Sequence, residues 1–133
     1  EGYAREWAQQ KNEIYVVTGA IFDADGETNT SKKGRDSDSS AERMSDRVGI
    51  PTHFYKIIYY QLPNKSIEPM AFLLPHKDQT PSGKKDSDAY LTVCLTSIDE
   101  IEKRAGFDFF SELPDSQEKA AEARKLNAFW TLK

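Results

Sequence analysis

Between Asp23 and Arg47 lie 25 residues of which only Ala24, Ala41 and Met44 are apolar, and this stretch constrains the chain more than any other feature. Seven of the 25 are acidic and five basic, and Gly, Ser, Thr and Asn supply the rest. A segment with so little apolar surface to bury cannot offset the entropy of ordering its backbone. It therefore reads as a long excursion or flexible loop. Strand-like runs flank it on both sides, so it is expected to be an insertion within one domain spanning 1–133. Without it, 47 of the remaining 108 residues are apolar, a density that builds an ordinary core.

Charge and cysteine content narrow the function classes. Eighteen Lys and Arg against 22 Asp and Glu give a net charge of −4. That balance argues against a wholesale basic coat for nucleic acid while leaving room for a local patch. No apolar run approaches the ~18 residues of a membrane span, so no membrane partner is expected. A single cysteine, Cys94, excludes an internal disulfide framework and a multi-cysteine metal site.

Periodicity places the elements. Tyr3, Ala4, Trp7 and Ala8 recur at helical spacing. Ile14 to Thr18 is β-branched and aromatic and reads as a buried strand ended by Gly19. Thr52 to Tyr60 and Met70 to Leu74 read as two more strands, separated by the turn residues Leu62 to Ser66. Lys77 to Ser87 reads as a polar loop, and Tyr90 to Leu95 as a fourth strand. Ser97 with Glu100 forms a capping-box pattern, Ile98, Ile101 and Ala105 share a helix face, and Gly106 suits the residue after the helix. Pro114 and Asp115 open a last helix expected to run toward Asn127. This order of elements predicts an α+β fold, with a central, mostly antiparallel sheet flanked by helices.

The residues alone show no self-evident active site. His53 and His76 are the only histidines and lack metal-ligand spacing. Cys94 sits in an apolar run, where a buried inert thiol is expected. Lys32-Lys33-Gly34-Arg35, Lys84-Lys85 and Lys103-Arg104 read either as solvated surface or as phosphate contacts. Lys56 is the one polar residue of an apolar strand, so it must snorkel or find a carboxylate.

Four segments in series nevertheless resemble one family. They are Tyr15 to Gly19, Gly49 to Ile58, Ala71 to Pro75, and Ser97 to Phe110. In order and approximate spacing they resemble the DNA/RNA non-specific endonucleases, the family of secreted bacterial nucleases and mitochondrial endonuclease G. The resemblance implies a ββα-metal (His-Me finger) nuclease that hydrolyses phosphodiesters of DNA and RNA with a divalent cation, usually Mg2+. In such enzymes a histidine is the general base, and an asparagine holds most of the metal.

The family's catalytic histidine lies in an Asp-Arg-Gly-His motif that these 133 residues lack. Asp46-Arg47-Val48-Gly49 is only superficially similar, since it has no histidine. The resemblance therefore implies that the chain is the C-terminal part of the fold. An N-terminal part, as a separate or cleaved chain, would carry the general-base histidine and the metal asparagine. Glu1 and Arg5 show the Glu-x-x-x-Arg spacing of the family's active-site helix, so the resemblance implies Glu1 as the catalytic glutamate, supporting the metal through water, against the alternative of an ordinary first-turn helix glutamate. The implied partners are DNA and RNA, the N-terminal part and a homodimer. The implied location is secreted or periplasmic, or mitochondrial in a eukaryote. The alternative reading is a non-catalytic nucleic-acid- or protein-binding module on a degenerate nuclease scaffold.

Overall fold

A computed structural model describes residues 2–22, 43–45, 48–49, 51–76 and 82–131. Glu1 and most of the 23–47 excursion lie outside the described residues. The end of that excursion contributes a short antiparallel ladder between β2 (Arg43–Ser45) and β3 (Val48–Gly49).

Four strands make the main sheet: β1 (Tyr15–Ile21), β4 (His53–Gln61), β5 (Ile67–Pro75) and β6 (Leu95–Thr96). They lie side by side in the order β1-β4-β5-β6, every pair antiparallel. The β4–β5 hairpin closes through the turn chemistry expected of Leu62 to Ser66. Lys65 N donates to Leu62 O at 2.8 Å, and Ser66 N donates to Asn64 Oδ1 at 3.1 Å.

Adjacent residues of β4 and β5 are buried on opposite faces, which is why both strands read as nearly continuous apolar runs. On one face Tyr55, Ile57 and Ala71 pack with Ile21 against Ile98, Ile101 and Ala105 of α3 (Ile98–Ala105). Phe109 and Phe110 complete this side, edge-on to Tyr55 and Tyr59. On the other face Ile58, Met70 and Phe72 pack with Trp7 of α1 (Gly2–Lys11) and with Cys94 and Leu95. Helices on both faces of an antiparallel sheet bear out the α+β expectation.

The expected end of α3 is also found. Ser97 Oγ accepts from Glu100 N at 3.2 Å, and Gly106 takes the left-handed conformation (φ 73°) while donating to Glu102 O.

Several local expectations need correction. Tyr90 to Leu95 is not a strand: α2 (Lys84–Val93) runs through it, and only Leu95–Thr96 is extended. Tyr90, Leu91 and Cys94 pack toward the sheet at helical spacing, whereas Val93 is 84% exposed. A two-residue period through Leu91 and Leu95 would have buried it. Lys84 to Ser87, expected as loop, forms the first turn of this helix.

β1 is not the buried strand expected, since Tyr15 and Val16 are exposed at the sheet edge, and Gly19 does not end it: the strand continues to Ile21. Gly19 pairs with Tyr55, and a Cβ at this position would overlap the Tyr55 ring. The glycine makes room for an aromatic side chain rather than for a turn.

The last helix, α4 (Asp115–Glu122), stops five residues before Asn127. The chain then leaves the helical path so that Phe129 and Trp130 reach Trp7, whose Nε1 donates to Trp130 O at 3.1 Å.

Candidate functional site

The residues singled out in the sequence are dispersed. Glu1 lies outside the described residues, and Arg5 is exposed on α1. Lys56 is half-buried and lines a cavity of about 200 Å³ with Tyr3, Trp7, Ile58, Phe72 and Leu91. Cys94 is buried at the C-terminal end of α2, where burial pushes its thiol pKa up and a hydrogen bond with Tyr90 opposes that rise in part.

His53 and His76 are fixed by structural contacts. His76 Nδ1 is 2.9 Å from Pro51 O and therefore donates to it. Nδ1 of His53 is 3.0 Å from Arg104 Nη2. Arg104 was expected, with Lys103, on a solvated or phosphate-binding surface. Lys103 is exposed, but Arg104 is 7% exposed in the last turn of α3.

One cluster escaped the sequence reading. Asp99 and Glu102 on α3, Asp108 in the loop after it, and Glu118 and Glu122 on α4 form two carboxylate triads that share Glu122. In each triad the nearest oxygens lie within 4.8 Å of one another. Glu102 Oε1 accepts from Phe109 N at 2.6 Å, which ties the aromatic segment to α3. Glu122 is 7% exposed, and its Oε1 has no hydrogen-bond partner.

Burial, and then the charges and hydrogen bond of Glu102 and the charges of Glu118 and Asp99, push the Glu122 carboxyl up to about 7. Burial also raises Glu102, opposed by the Phe109 amide and by a hydrogen bond from Glu122. Both carboxyls are raised, so the pair takes up a proton more readily than two free glutamates would. The sequence signal was the acidic spacing: Asp99/Glu102 at i, i+3 and Glu118/Glu122 at i, i+4 put each pair on one helix face.

The family resemblance implies a metal held by an asparagine beside a general-base histidine. Among the described residues, neither His53 nor His76 joins a group of three or more His, Cys, Asp or Glu side chains close enough to hold an ion together. These residues do not fit that metal, and no hydrolytic step runs through a metal placed on them.

Comparison with known proteins decides the lineage. The family model for "DNA/RNA non-specific endonuclease" matches residues 1–116. The chain belongs to the DNA/RNA non-specific endonuclease family. Within it, Nuclease C1 of Cunninghamella echinulata var. echinulata is 28% identical over 115 residues, covering 85% of this chain and 40% of that protein. Ectonucleotide pyrophosphatase/phosphodiesterase family member 1 of Rattus norvegicus is 29% identical over 142 residues, covering 92% of this chain and 15% of that protein.

A crystal structure of the EndoG/EndoGI complex superposes on the endonuclease-family chain with a TM-score of 0.60. The match covers 87% of this chain and 43% of that one at 20% identity. This likeness shows that the two chains share a fold. The chain spans less than half the length of each of these proteins. Among the described residues, no helix is long and apolar enough to cross a membrane.

Proposed function

We propose that this chain is the C-terminal part of a metal-dependent endonuclease that hydrolyses phosphodiester bonds of DNA and RNA without sequence specificity. The observation that carries the reading is the family match over residues 1–116, from a chain that covers only 40% of a fungal nuclease. The general-base histidine and the metal asparagine belong to an N-terminal part. Mg2+ is the cation, and Glu1, directly before α1, supports its water shell. The enzyme is secreted, periplasmic or mitochondrial, as its family is.

This chain contributes a rigid scaffold. Trp7 anchors α1 to the sheet through Ile58 and Phe72, so the helix that follows Glu1 has a defined seat. β1 pairs only with β4 among the described residues, and Tyr15 and Val16 on it are 43% and 45% exposed. An edge of this kind suits a further segment of the same fold.

Plasmid nicking in Mg2+ tests the reading, using the isolated 133-residue chain and the intact protein that contains it. Activity is expected from the intact protein alone. Robust nicking by the isolated chain would overturn the division of labour, and inactivity of the intact protein would overturn the nuclease reading.

One observation favours a second reading, a non-catalytic module that binds nucleic acid or protein. A segment like this one makes up 15% of a much longer rat protein named for a different phosphodiesterase activity. Duplex-DNA binding that weakens with salt and needs no metal, from an intact protein that does not cleave, would support it.

A further inference from the structure

Glu122 presents a physical problem that the nuclease reading does not use. A carboxylate that is 7% exposed, with an oxygen that has no hydrogen-bond partner, is costly to bury. Its neighbours do not repay that cost: Asp99 and Glu102 in one group, and Asp108 and Glu118 in the other, bring further carboxylate oxygens within 4.8 Å. A buried acidic cluster is normally relieved by a proton, a basic side chain or a cation. Oε1 of Glu122 is the buried side-chain oxygen left without any hydrogen-bond partner among the described residues.

The geometry suits a cation. Asp99, Glu102 and Glu122 each offer an oxygen, and the three lie within 4.8 Å of one another. Three oxygens bound at about 2.3–2.6 Å from one Ca2+ can all be up to about 4.5 Å apart, so separations within 4.8 Å need at most a small closure of the two helices. A Mg2+ sphere, at about 2.1 Å, is narrower and keeps most of its water. Glu102 is already oriented, because its Oε1 is held by the Phe109 amide. Asp99 lies at the exposed rim, which leaves an entry path and room for water ligands.

We propose that Asp99, Glu102 and Glu122 form a calcium site that clamps α3 to α4, with Glu122 as its central ligand. The cation would bridge the two glutamates and offset the charge of the buried Glu122 carboxylate. It would also fix the Phe107 to Phe110 segment, which hangs from Glu102 and covers the sheet through Tyr55 and Tyr59. Calcium binding here would hold whether or not the chain takes part in hydrolysis.

The test is a CaCl2 titration of the EDTA-treated intact protein at pH 7.5, followed by isothermal calorimetry and by thermal unfolding. At tenfold excess over the dissociation constant the unfolding midpoint is expected to rise by about 5 °C, well beyond matched MgCl2 or NaCl. Glu122→Gln should lose that response while unfolding in EDTA no earlier than the parent, because its amide removes the repulsion. Asp99→Asn changes an exposed residue and leaves the core intact, and it should weaken calcium binding at least threefold. A midpoint unmoved by calcium, a shift equalled by MgCl2, or a full response in both variants would each overturn the site.

Discussion

Arg104 Nη2 stands 3.0 Å from Nδ1 of His53 and joins the last turn of α3 to the first residue of β4. A guanidinium carries only donors, so Nδ1 must accept, and the imidazole holds its proton on Nε2. Thr52 Oγ1 is also 3.0 Å from that nitrogen. Because Arg104 is 7% exposed, this contact is a buried tie across the helix–sheet interface rather than a surface pair.

Arg104→Ala is expected to destabilise the protein by about 1–3 kcal/mol, since it removes a buried donor and the packing of its stem. A double-mutant cycle with His53→Ala, read by urea unfolding, should return a coupling of about 0.5–3 kcal/mol. Additive losses would mean that the two side chains do not depend on each other.

Gly19→Ala places a methyl group where the Tyr55 ring lies. Crowding of a packed core costs about 1–3 kcal/mol, so the unfolding midpoint should fall by several degrees. Combining it with Tyr55→Leu should cost less than the sum of the two single changes, because the clash disappears. Full additivity would show that the strand shifts to accept the methyl group.

Trp7→Ala removes the anchor of α1 and the donor to Trp130 O, and should cost about 3–5 kcal/mol. Amide exchange is the sharper measurement. Protection should fall across α1 and the Phe129–Trp130 segment together, since both pack on the same indole. Loss confined to α1 would separate the two elements.

Cys94 gives the alkaline limit a definite sign. Burial raises its thiol above the ordinary value of 9.0, so the folded chain holds this proton more tightly than the unfolded chain does. Its contribution to stability is complete below pH 9 and is lost as pH rises through the folded value. The urea midpoint should therefore decline above pH 9, less steeply in Cys94→Ala. Labelling by a thiol reagent at pH 8 should be slow in the native state and fast in urea. Rapid native labelling would contradict the burial.

Local chemistry made much of the framework readable. The Ser97 cap, the Gly106 stop, the Leu62 to Ser66 turn and the apolar runs of β1, β4 and β5 follow from neighbours a few residues apart. Where two periods competed, local pattern misled. Tyr90 to Leu95 has β-branched and apolar residues, but the stripe of Tyr90, Leu91 and Cys94 against the sheet chose the helix. Gly19 has the composition of a turn, and only its partner Tyr55 across the sheet shows why it sits inside a strand.

The site divides the same way. Sequence by itself determined the family and the α+β architecture, because those rest on ordered segments and on periodic burial that local spacing encodes. The acidic spacings Asp99/Glu102 and Glu118/Glu122 were present in it but passed unread, because each pair alone looks like an ordinary solvated helix face. Tertiary structure alone brought those faces together. It turned Arg104 from a surface cation into a buried partner of His53, and left Glu122 under cover with an unsatisfied oxygen. Desolvation and charge repulsion depend on distance through space, and Glu102 and Glu122 are 20 residues apart along the chain.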